Sequence, residues 1–152
     1  MTKAPSPPSD LAADVAIVGG GMVGMTLAAA LGSAGVSVAI IDAQAPAAMT
    51  AAAFDGRSSA VAFGSKQVLA GIGAWAGMVA EAQPILDIRV SDGTATGGVS
   101  RLFLHYDHRD LAAGDARTDA PPFGFIVENR VVRRALLQRL AELPAVTHAA
   151  PA

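Results

Sequence analysis

The 152-residue chain has no cysteine and little net charge. Without cysteine it can form no disulfide bond, no thiolate metal site and no cysteine nucleophile. The formal net charge of -2 at pH 7 gives no global reason to expect binding to nucleic acid or to anionic membranes. Hydrophobic residues make up 52% of the sequence, so the chain can build one domain with its own core.

Charged side chains are also absent from residues 15–41 and return only at Asp42. The length of this stretch would permit a membrane helix, since about 20 apolar residues span a bilayer. Three successive glycines beginning at Gly19 argue against that interpretation, because neither a helix nor a strand tolerates them well. The order of residue types instead predicts a strand over 15–18, a glycine turn, a helix over 22–34 and a strand over 36–41. Such a βαβ unit has buried parallel strands, which accounts for the missing charges.

Small residues at fixed spacing mark the predicted turn as a nucleotide-binding motif. In Gly19-x-Gly21-x-x-Gly24, Gly19 permits the tight turn and Gly21 lets the backbone approach a pyrophosphate. Gly24 and Ala28 let the helix lie close to the sheet. Asp42, 18 residues after Gly24, can accept hydrogen bonds from both ribose hydroxyls, which argues against a 2′-phosphate and hence against NADP. The motif alone does not separate FAD from NAD.

The segments before and after this unit give weaker signals. MTKAPSPPSD is a poor signal peptide, and residues 1–13 are predicted to form a disordered tail. A small-residue loop containing Asp55-Gly56-Arg57 follows Asp42, and Arg57 is either a solvated loop residue or a contact to a phosphate-bearing ligand. Ser58 or Ser59 is expected to cap a helix whose apolar positions have helical spacing, namely Val61, Val68, Leu69, Ile72 and Trp75.

The second half of the chain predicts more strands and one helix. Residues 85–90 and 101–106 are predicted to form an antiparallel pair. His105 and His108 would then point to opposite faces of a strand, so no metal site is expected there. A strand over 123–127 leads into a helix that Asn129 could cap, with a buried stripe of Val132, Leu136, Leu140 and Leu143.

The end of the sequence predicts an incomplete domain. Val146-Thr147-His148 begins another strand, yet a doubly wound domain needs at least a third parallel strand and usually more. We therefore interpret residues 14–152 as the N-terminal portion of a larger α/β domain.

Four segments carry a resemblance to a known family. They are DVAIVGGGMVGMTLAAAL, VAIIDA, FDGRSSAVAFGS and FGFIVENRVVRRALLQRL. Together they resemble the N-terminal part of class A FAD-dependent monooxygenases of the ubiquinone-biosynthesis hydroxylase family. The resemblance implies a Rossmann-like, glutathione-reductase-like FAD-binding core with part of an antiparallel substrate-side sheet, to which the strands at 85–90 and 101–106 would belong.

The resemblance also implies a role for individual residues. Gly19, Gly21 and Gly24 would face the FAD pyrophosphate, and Asp42 the adenosine ribose. Arg57 would lie near the flavin. Asn129 occupies the position where relatives carry a glutamine or arginine that touches FAD, and Arg130 is the neighbouring candidate. No catalytic residue is expected among these, because the cofactor carries the chemistry.

The reaction implied by the resemblance is hydroxylation of a phenolic, polyprenylated ubiquinone precursor by O₂, with NAD(P)H as transient reductant. Relatives contain a second FAD motif with Gly-Asp that this sequence lacks, so the chain alone is expected to be inactive. The sequence leaves open another FAD or NAD oxidoreductase and a non-catalytic nucleotide-binding remnant. We expect a cytoplasmic protein, with peripheral membrane contact and association with itself or with other biosynthesis enzymes left open.

Overall fold

The computed structural model describes residues 11–49, 56–93, 97–111 and 120–152. The chain alternates helices and strands, which confirms the prediction of an α/β protein. In chain order, the elements are β1 (Val15–Val18), α1 (Met22–Ser33), β2 (Val38–Ile41), α2 (Pro46–Met49), β3 (Ser58–Ala62), α3 (Phe63–Gly71), β4 (Gln83–Ile85), β5 (Asp87–Gly93), β6 (Val99–Asp107), β7 (Gly124–Glu128), α4 (Asn129–Ala141) and β8 (Val146–Ala149). Short 3₁₀ turns occupy Trp75–Gly77, Val79–Glu81 and His108–Leu111.

A three-stranded parallel sheet with the order β1-β2-β8 forms the first part of the fold. Its register pairs Val15 with Val38 and Val38 with Val146. The predicted βαβ unit is therefore present, and β8 is the third parallel strand. Within the described part of the chain, β1 has a neighbouring strand on one side only. The central strand β2 buries its residues 38–40, as its uninterrupted apolar sequence requires.

Helix α1 covers one face of this sheet and is too short for a membrane span. Its 12 residues extend about 18 Å at 1.5 Å per residue, against a hydrocarbon core of about 30 Å. In the described ranges, no helix is long and apolar enough to cross a bilayer. The uncharged stretch is thus divided between two strands and one short helix.

A second, antiparallel sheet has the order β3-β7-β4 and corrects one prediction. Ser58 and Ser59 do not cap a helix but lie in strand β3, opposite Glu128 and Val127 of β7. The helix α3 begins five residues later, at Phe63, and Trp75 lies beyond its end in a 3₁₀ turn. The apolar spacing is helical only from Phe63 onward, and pairing with β7 decides the conformation before it.

The antiparallel pair predicted for the middle of the chain is present as the ribbon β5–β6. Its boundaries differ from the prediction, because Ile85 ends the separate strand β4 and the ribbon begins at Asp87. Every residue of β5 is exposed. The turn-rich segment that joins the strands contains residues 94–96, which lie outside the described residues.

Helix α4 connects the two sheets through a common core. The predicted stripe is confirmed for Val132, Leu136 and Leu140, which are buried, and Leu143 is also buried but lies two residues beyond the end of α4. Beside it, Trp75 packs against Phe125 with ring centroids 4.9 Å apart. The largest fully buried side chains come from both sheets, their helices and the segment between the first two 3₁₀ turns: Met25, Val38, Ile40, Met78, Val127, Val131 and Leu136.

Candidate functional site

The turn between β1 and α1 requires glycine at two positions for different reasons. Gly19 has φ of +103°, a conformation that other residues rarely adopt, and its N–H donates to the carbonyl of Ile41 at 2.8 Å. A Cβ atom on Gly24 would collide with the Gly19 carbonyl oxygen and would lie 3.3 Å from Ile17 Cγ2. Glycine at 24 therefore lets the first turn of α1 press against the loop.

The N-terminus of α1 faces open space with no capping side chain. Gly21 is the N-cap residue, and its carbonyl accepts the first helical hydrogen bond, from Met25 N at 2.9 Å. Apart from its neighbours in the chain, no described atom lies within 4 Å of the position of a Cβ on Gly21, and the first turn contains no acidic residue. The free N–H groups and the partial positive charge of the helix end can therefore receive an anion.

Asp42 follows β2 directly, at the same edge of the sheet as the glycine turn. Its Oδ1 accepts a hydrogen bond from Gln44 N at 2.6 Å, and its Oδ2 accepts one from Gly20 N. These two backbone hydrogen bonds, Gln44 first, lower the pKa of Asp42 below its ordinary value. The side chain is therefore a carboxylate at neutral pH, with further lone pairs available for hydroxyl donors.

Arg57 and Asn129, which are distant in the sequence, meet at a second cluster. Asn129 N donates to the carbonyl oxygen of Arg57 at 3.1 Å, and Asn129 Oδ1 accepts from Ser59 Oγ at 2.6 Å. The prediction that Asn129 caps α4 is wrong, because Glu128 is the N-cap residue and Asn129 is the first helical one. Asn129 is buried and its oxygen is held by Ser59, while Arg57 is exposed.

Arg130 stands beside this cluster at the start of α4. Its Nε bonds to Oε2 of Glu128, and its side chain is partly exposed. Asp55, the first residue of the Asp-Gly-Arg segment, lies outside the described residues, as does the preceding Phe54. The conformation of Gly56, with φ of +72°, carries the chain into Arg57 and β3.

A groove of about 530 Å³ runs between α1 and the β3–α3 segment. Met22, one residue after Gly21, lines one side, and Ser59, which bonds Asn129, lines the other. The groove therefore connects the neighbourhood of the glycine turn with that of the Asn129 cluster. Most of its lining is apolar, and Val23 is 84% exposed beside it.

Two residues at these sites do not follow from sequence reasoning. Ser59 was expected to be a helix cap, and only its pairing opposite β7 brings it to Asn129. His148 was expected only to form part of a strand, yet it reaches Gly20 and Asp42. The rule that ligand sites lie at the carboxyl ends of parallel strands points to His148 once β8 is placed beside β2.

The other two histidines occupy the end of the ribbon. His105 Nε2 lies 2.5 Å from Asp87 Oδ1, and His108 Nδ1 lies 3.2 Å from the Leu86 carbonyl oxygen. Across the described ranges, no group of three histidine, aspartate or glutamate residues is arranged to hold a metal ion. His105 lies in β6, whereas His108 begins a 3₁₀ turn. The two histidines therefore do not share one strand, as the sequence had suggested.

A glycine turn between a parallel strand and a helix, with a carboxylate at the end of the next strand, defines the class of dinucleotide-binding α/β proteins. Within that class, the sequence matches a family model described as FAD binding domain over residues 12–146. The chain therefore belongs to the FAD binding domain family. This confirms the resemblance inferred from the sequence and, at the level of the family, FAD as the cofactor.

Two curated relatives share much of this sequence. The chain is 51% identical to the ubiquinone hydroxylase UbiL of Rhodospirillum rubrum over 144 residues, which are 95% of this chain and 30% of that protein. It is 32% identical to 3-demethoxyubiquinol 3-hydroxylase of Escherichia coli over 139 residues, 91% of this chain and 32% of the relative. The chain thus spans about a third of the length of these relatives.

Solved structures share the fold at lower sequence identity. The flavin-dependent monooxygenase PieE, solved with FAD and substrate, has a TM-score of 0.62 at 20% identity, covering 92% of this chain and 24% of that one. The p-nitrophenol 4-monooxygenase PnpA of Pseudomonas putida has a TM-score of 0.59 at 19% identity, covering 88% of this chain and 30% of the other. These similarities support the fold assignment.

Proposed function

We propose that this chain is the FAD-binding portion of a flavin-dependent aromatic hydroxylase that acts on a phenolic ubiquinone precursor. The observation that carries the FAD site is the glycine turn, which opens on free space at Gly21 with the Asp42 carboxylate beside it. The choice of reaction and substrate rests on the similarity of this chain to a ubiquinone hydroxylase and to a 3-demethoxyubiquinol 3-hydroxylase.

In this proposal the pyrophosphate of FAD lies against the glycine turn. The positive φ of Gly19 turns the loop, and the missing side chain of Gly21 leaves the backbone open to a ligand. Gly24 lets the first turn of α1 lie against the carbonyl of Gly19. The N–H groups of the first turn of α1 then donate to phosphate oxygens without a side chain in between. Asp42 accepts hydrogen bonds from the adenosine ribose through lone pairs that the Gly20 and Gln44 N–H groups leave free.

Arg57, Asn129 and Arg130 form the part of the proposed site nearer the flavin. The exposed Arg57 guanidinium offers a planar set of donors to a phosphate-bearing ligand. Asn129 keeps its amide nitrogen available for donation, since its oxygen is occupied by Ser59. Arg130 adds a positive charge at the start of α4, moderated by its ion pair with Glu128.

When bound, FAD supplies the redox and oxygen-activating chemistry, with NAD(P)H as reductant and O₂ as co-substrate. The residues of this chain hold and orient the cofactor, and none is assigned a catalytic role. Because the chain spans only about a third of the length of its relatives, we propose that these 152 residues alone do not turn over substrate.

Residues 14–152 are, in this proposal, the N-terminal portion of a glutathione-reductase-like Rossmann domain. Of the tail expected at residues 1–13, positions 1–10 lie outside the described residues. Apolar side chains along the groove support an incomplete domain, because Val23, Leu27 and Val68 are 84%, 48% and 53% exposed. A helix that is apolar on all sides is ordinarily buried on all sides. The ribbon β5–β6 would then belong to the substrate-side sheet.

The proposed substrate also suggests where the protein works. A polyprenylated phenol resides in the membrane, so we propose a cytoplasmic protein with peripheral membrane contact. Association with itself or with other enzymes of the same biosynthesis would shorten the path of such an insoluble substrate.

Titration of the purified chain with FAD and with FMN tests the cofactor site. Quenching of flavin fluorescence should give a lower Kd for FAD, because FMN lacks the adenosine that Asp42 is proposed to bind. Equal affinity for both flavins, or no binding of FAD, would contradict the assignment of the glycine turn and Asp42.

Incubation of the protein from the complete coding region with a polyprenyl phenol, NADH and ¹⁸O₂ tests the reaction. One ¹⁸O atom per product molecule on the aromatic ring is the expected result, and the 152-residue chain alone should give none. NADH oxidation without ring oxygen would contradict hydroxylation of this substrate.

A further inference from the structure

The imidazole of His148 borders Gly20 at the carboxyl end of the parallel sheet, where the proposed FAD contacts give it no role. His148 lies in β8, opposite Ile40 of the central strand β2. A Cβ atom on Gly20 would lie 2.8 Å from His148 Nε2, closer than real Cβ atoms approach a neighbour. The tip of the ring therefore already occupies the space that a side chain at position 20 would need.

No hydrogen bond of Nε2 explains this placement of the ring. Nε2 is buried and has no hydrogen-bond partner among the described residues. Burial lowers the pKa of His148, and the Asp42 carboxylate opposes this with a smaller effect, so the ring is neutral at physiological pH. A buried nitrogen without a partner is rare and destabilises a fold. What the ring contributes at this position is therefore its volume.

The volume of the ring matters because the glycine turn is fixed on its other sides. Gly19 N donates to the carbonyl of Ile41 at 2.8 Å, and Gly20 N donates to Asp42 Oδ2. A Cβ atom on Gly20 would also lie 3.1 Å from Asp42 Oδ2 and 3.3 Å from Asp42 Cβ. Gly20 is itself buried, so the carboxylate of Asp42 and the ring of His148 enclose it. Without the ring, a cavity would be left into which the turn could shift.

We propose that His148 is a positioning residue of the FAD site that acts by packing, since its ring supports the glycine turn from the side of β8. The support keeps the backbone at Gly21 and the N-terminus of α1 in place for the pyrophosphate. This inference rests on the proposed binding of the pyrophosphate at this turn. A loop that is held before binding loses less freedom on binding, which favours affinity.

Two substitutions in the 152-residue chain separate the volume of the ring from its nitrogens, with ADP as the probe because it contains the pyrophosphate without the flavin. H148L keeps a similar volume and should bind ADP within about twofold of the wild type. Its midpoint of urea unfolding should rise, because the unpaired nitrogen is gone. H148A leaves a cavity beside Gly20 and should weaken ADP binding about three- to tenfold.

Calorimetric titration with ADP measures these affinities, and circular dichroism confirms that each variant is folded under the conditions of the titration. If H148A does not fold, H148V takes its place, because it leaves a smaller cavity and should weaken ADP binding in the same direction. H148L that binds ADP as weakly as H148A would show that a nitrogen acts, and would overturn the inference.

A double-mutant cycle with Gly20→Ala tests whether His148 acts through the turn. G20A should weaken ADP binding, because its methyl group displaces either the ring or the turn. In the H148A background the same change should cost less affinity, since the space beside the methyl group is free. A role in overall stability alone would give no such compensation among folded variants.

Additive losses in this cycle, or H148A with wild-type affinity, would overturn the inference and leave the proposed function intact. Wild-type chain that binds neither ADP nor FAD would overturn both.

Discussion

The parallel sheet and the ribbon β5–β6 differ in how far their apolar side chains are exposed to solvent. In β2, Val38, Ala39 and Ile40 are at most 4% exposed, whereas in the ribbon Val90, Phe103 and Leu104 are between 51% and 59% exposed. The sheet is stabilised by burial of its apolar side chains, but the ribbon is held by its backbone ladder and by contacts such as Asp87 with His105. An isolated two-stranded ribbon is marginally stable in water, so the two regions should differ in local stability.

The largest difference is expected from truncating one leucine in the core that covers the sheets and one in the ribbon. Leu136→Ala in α4 removes a fully buried side chain and should lower the free energy of unfolding by about 2–5 kcal/mol. Leu104→Ala in the ribbon is the matched control and should change it by no more than about 0.5 kcal/mol. Urea unfolding followed by the fluorescence of Trp75, the single tryptophan, measures both. Similar losses for the two variants would show that the ribbon packs against something as firmly as α4 does.

Substitutions at two glycines near the loop between β1 and α1 should separate effects on stability from effects on ligand binding. Gly24→Ala places a Cβ atom against the Gly19 carbonyl oxygen and should cost about 3 kcal/mol of stability. Gly21→Ala meets no described atom and has φ of −69°, which alanine adopts readily, so its stability should stay near that of the wild type. The Gly21 variant should nevertheless bind FAD more weakly, because its methyl group occupies the space proposed for the pyrophosphate. Thermal unfolding and FAD titration together test this pair, and normal FAD binding by Gly21→Ala would count against the pyrophosphate position.

The hydrogen bond between Ser59 and Asn129 should contribute less than either packing effect. Asn129→Ala leaves the Ser59 hydroxyl without its acceptor and should cost about 1–2 kcal/mol in urea unfolding. Ser59→Ala with Asn129→Ala should cost little more than Asn129→Ala alone, since the two residues share one interaction. Additive losses would mean that the two side chains stabilise the fold separately.

The smallest effect is expected from protonation of His148. Because its folded-state pKa lies below the ordinary value of 6.5, the unfolded chain binds a proton more readily. Stability should therefore rise with pH across the interval between the lowered pKa and 6.5, and should lose this contribution as the pH falls through that interval. The difference between wild type and H148Q in urea unfolding at pH 5 and pH 7 isolates the residue from the ribbon histidines. A difference that is the same at both pH values would contradict the lowered pKa.

Local sequence signals predicted the first part of the fold and the position of the residues proposed for its site. The glycine spacing, the β-branched runs and Asp42 all act within about 30 residues, so the turn, α1 and the position of the carboxylate follow from the sequence of that segment alone. The stripe of α4 followed from helical periodicity in the same way.

Long-range pairing accounts for what the sequence did not reveal. Ser58 and Ser59 are polar residues ahead of a helical pattern, and only β7, some 70 residues later, turns them into a strand. Asn129 was expected to cap a helix, but its side chain is engaged by Ser59 across that pairing. His148 gains its neighbours only when β8 aligns beside β2. Each of these contacts depends on tertiary register, which local propensity does not encode.

The position of β1 at the margin of the parallel sheet has a consequence for work with the purified chain. Among the described residues β1 has an open side, as β8 does at the other margin, and such a strand presents backbone N–H and C=O groups that can template another strand. Val18 at the end of β1 is 85% exposed. We expect self-association of this chain to grow with concentration and to proceed through strand addition at β1. Preparations for the titrations above should therefore be dilute and checked by light scattering before use.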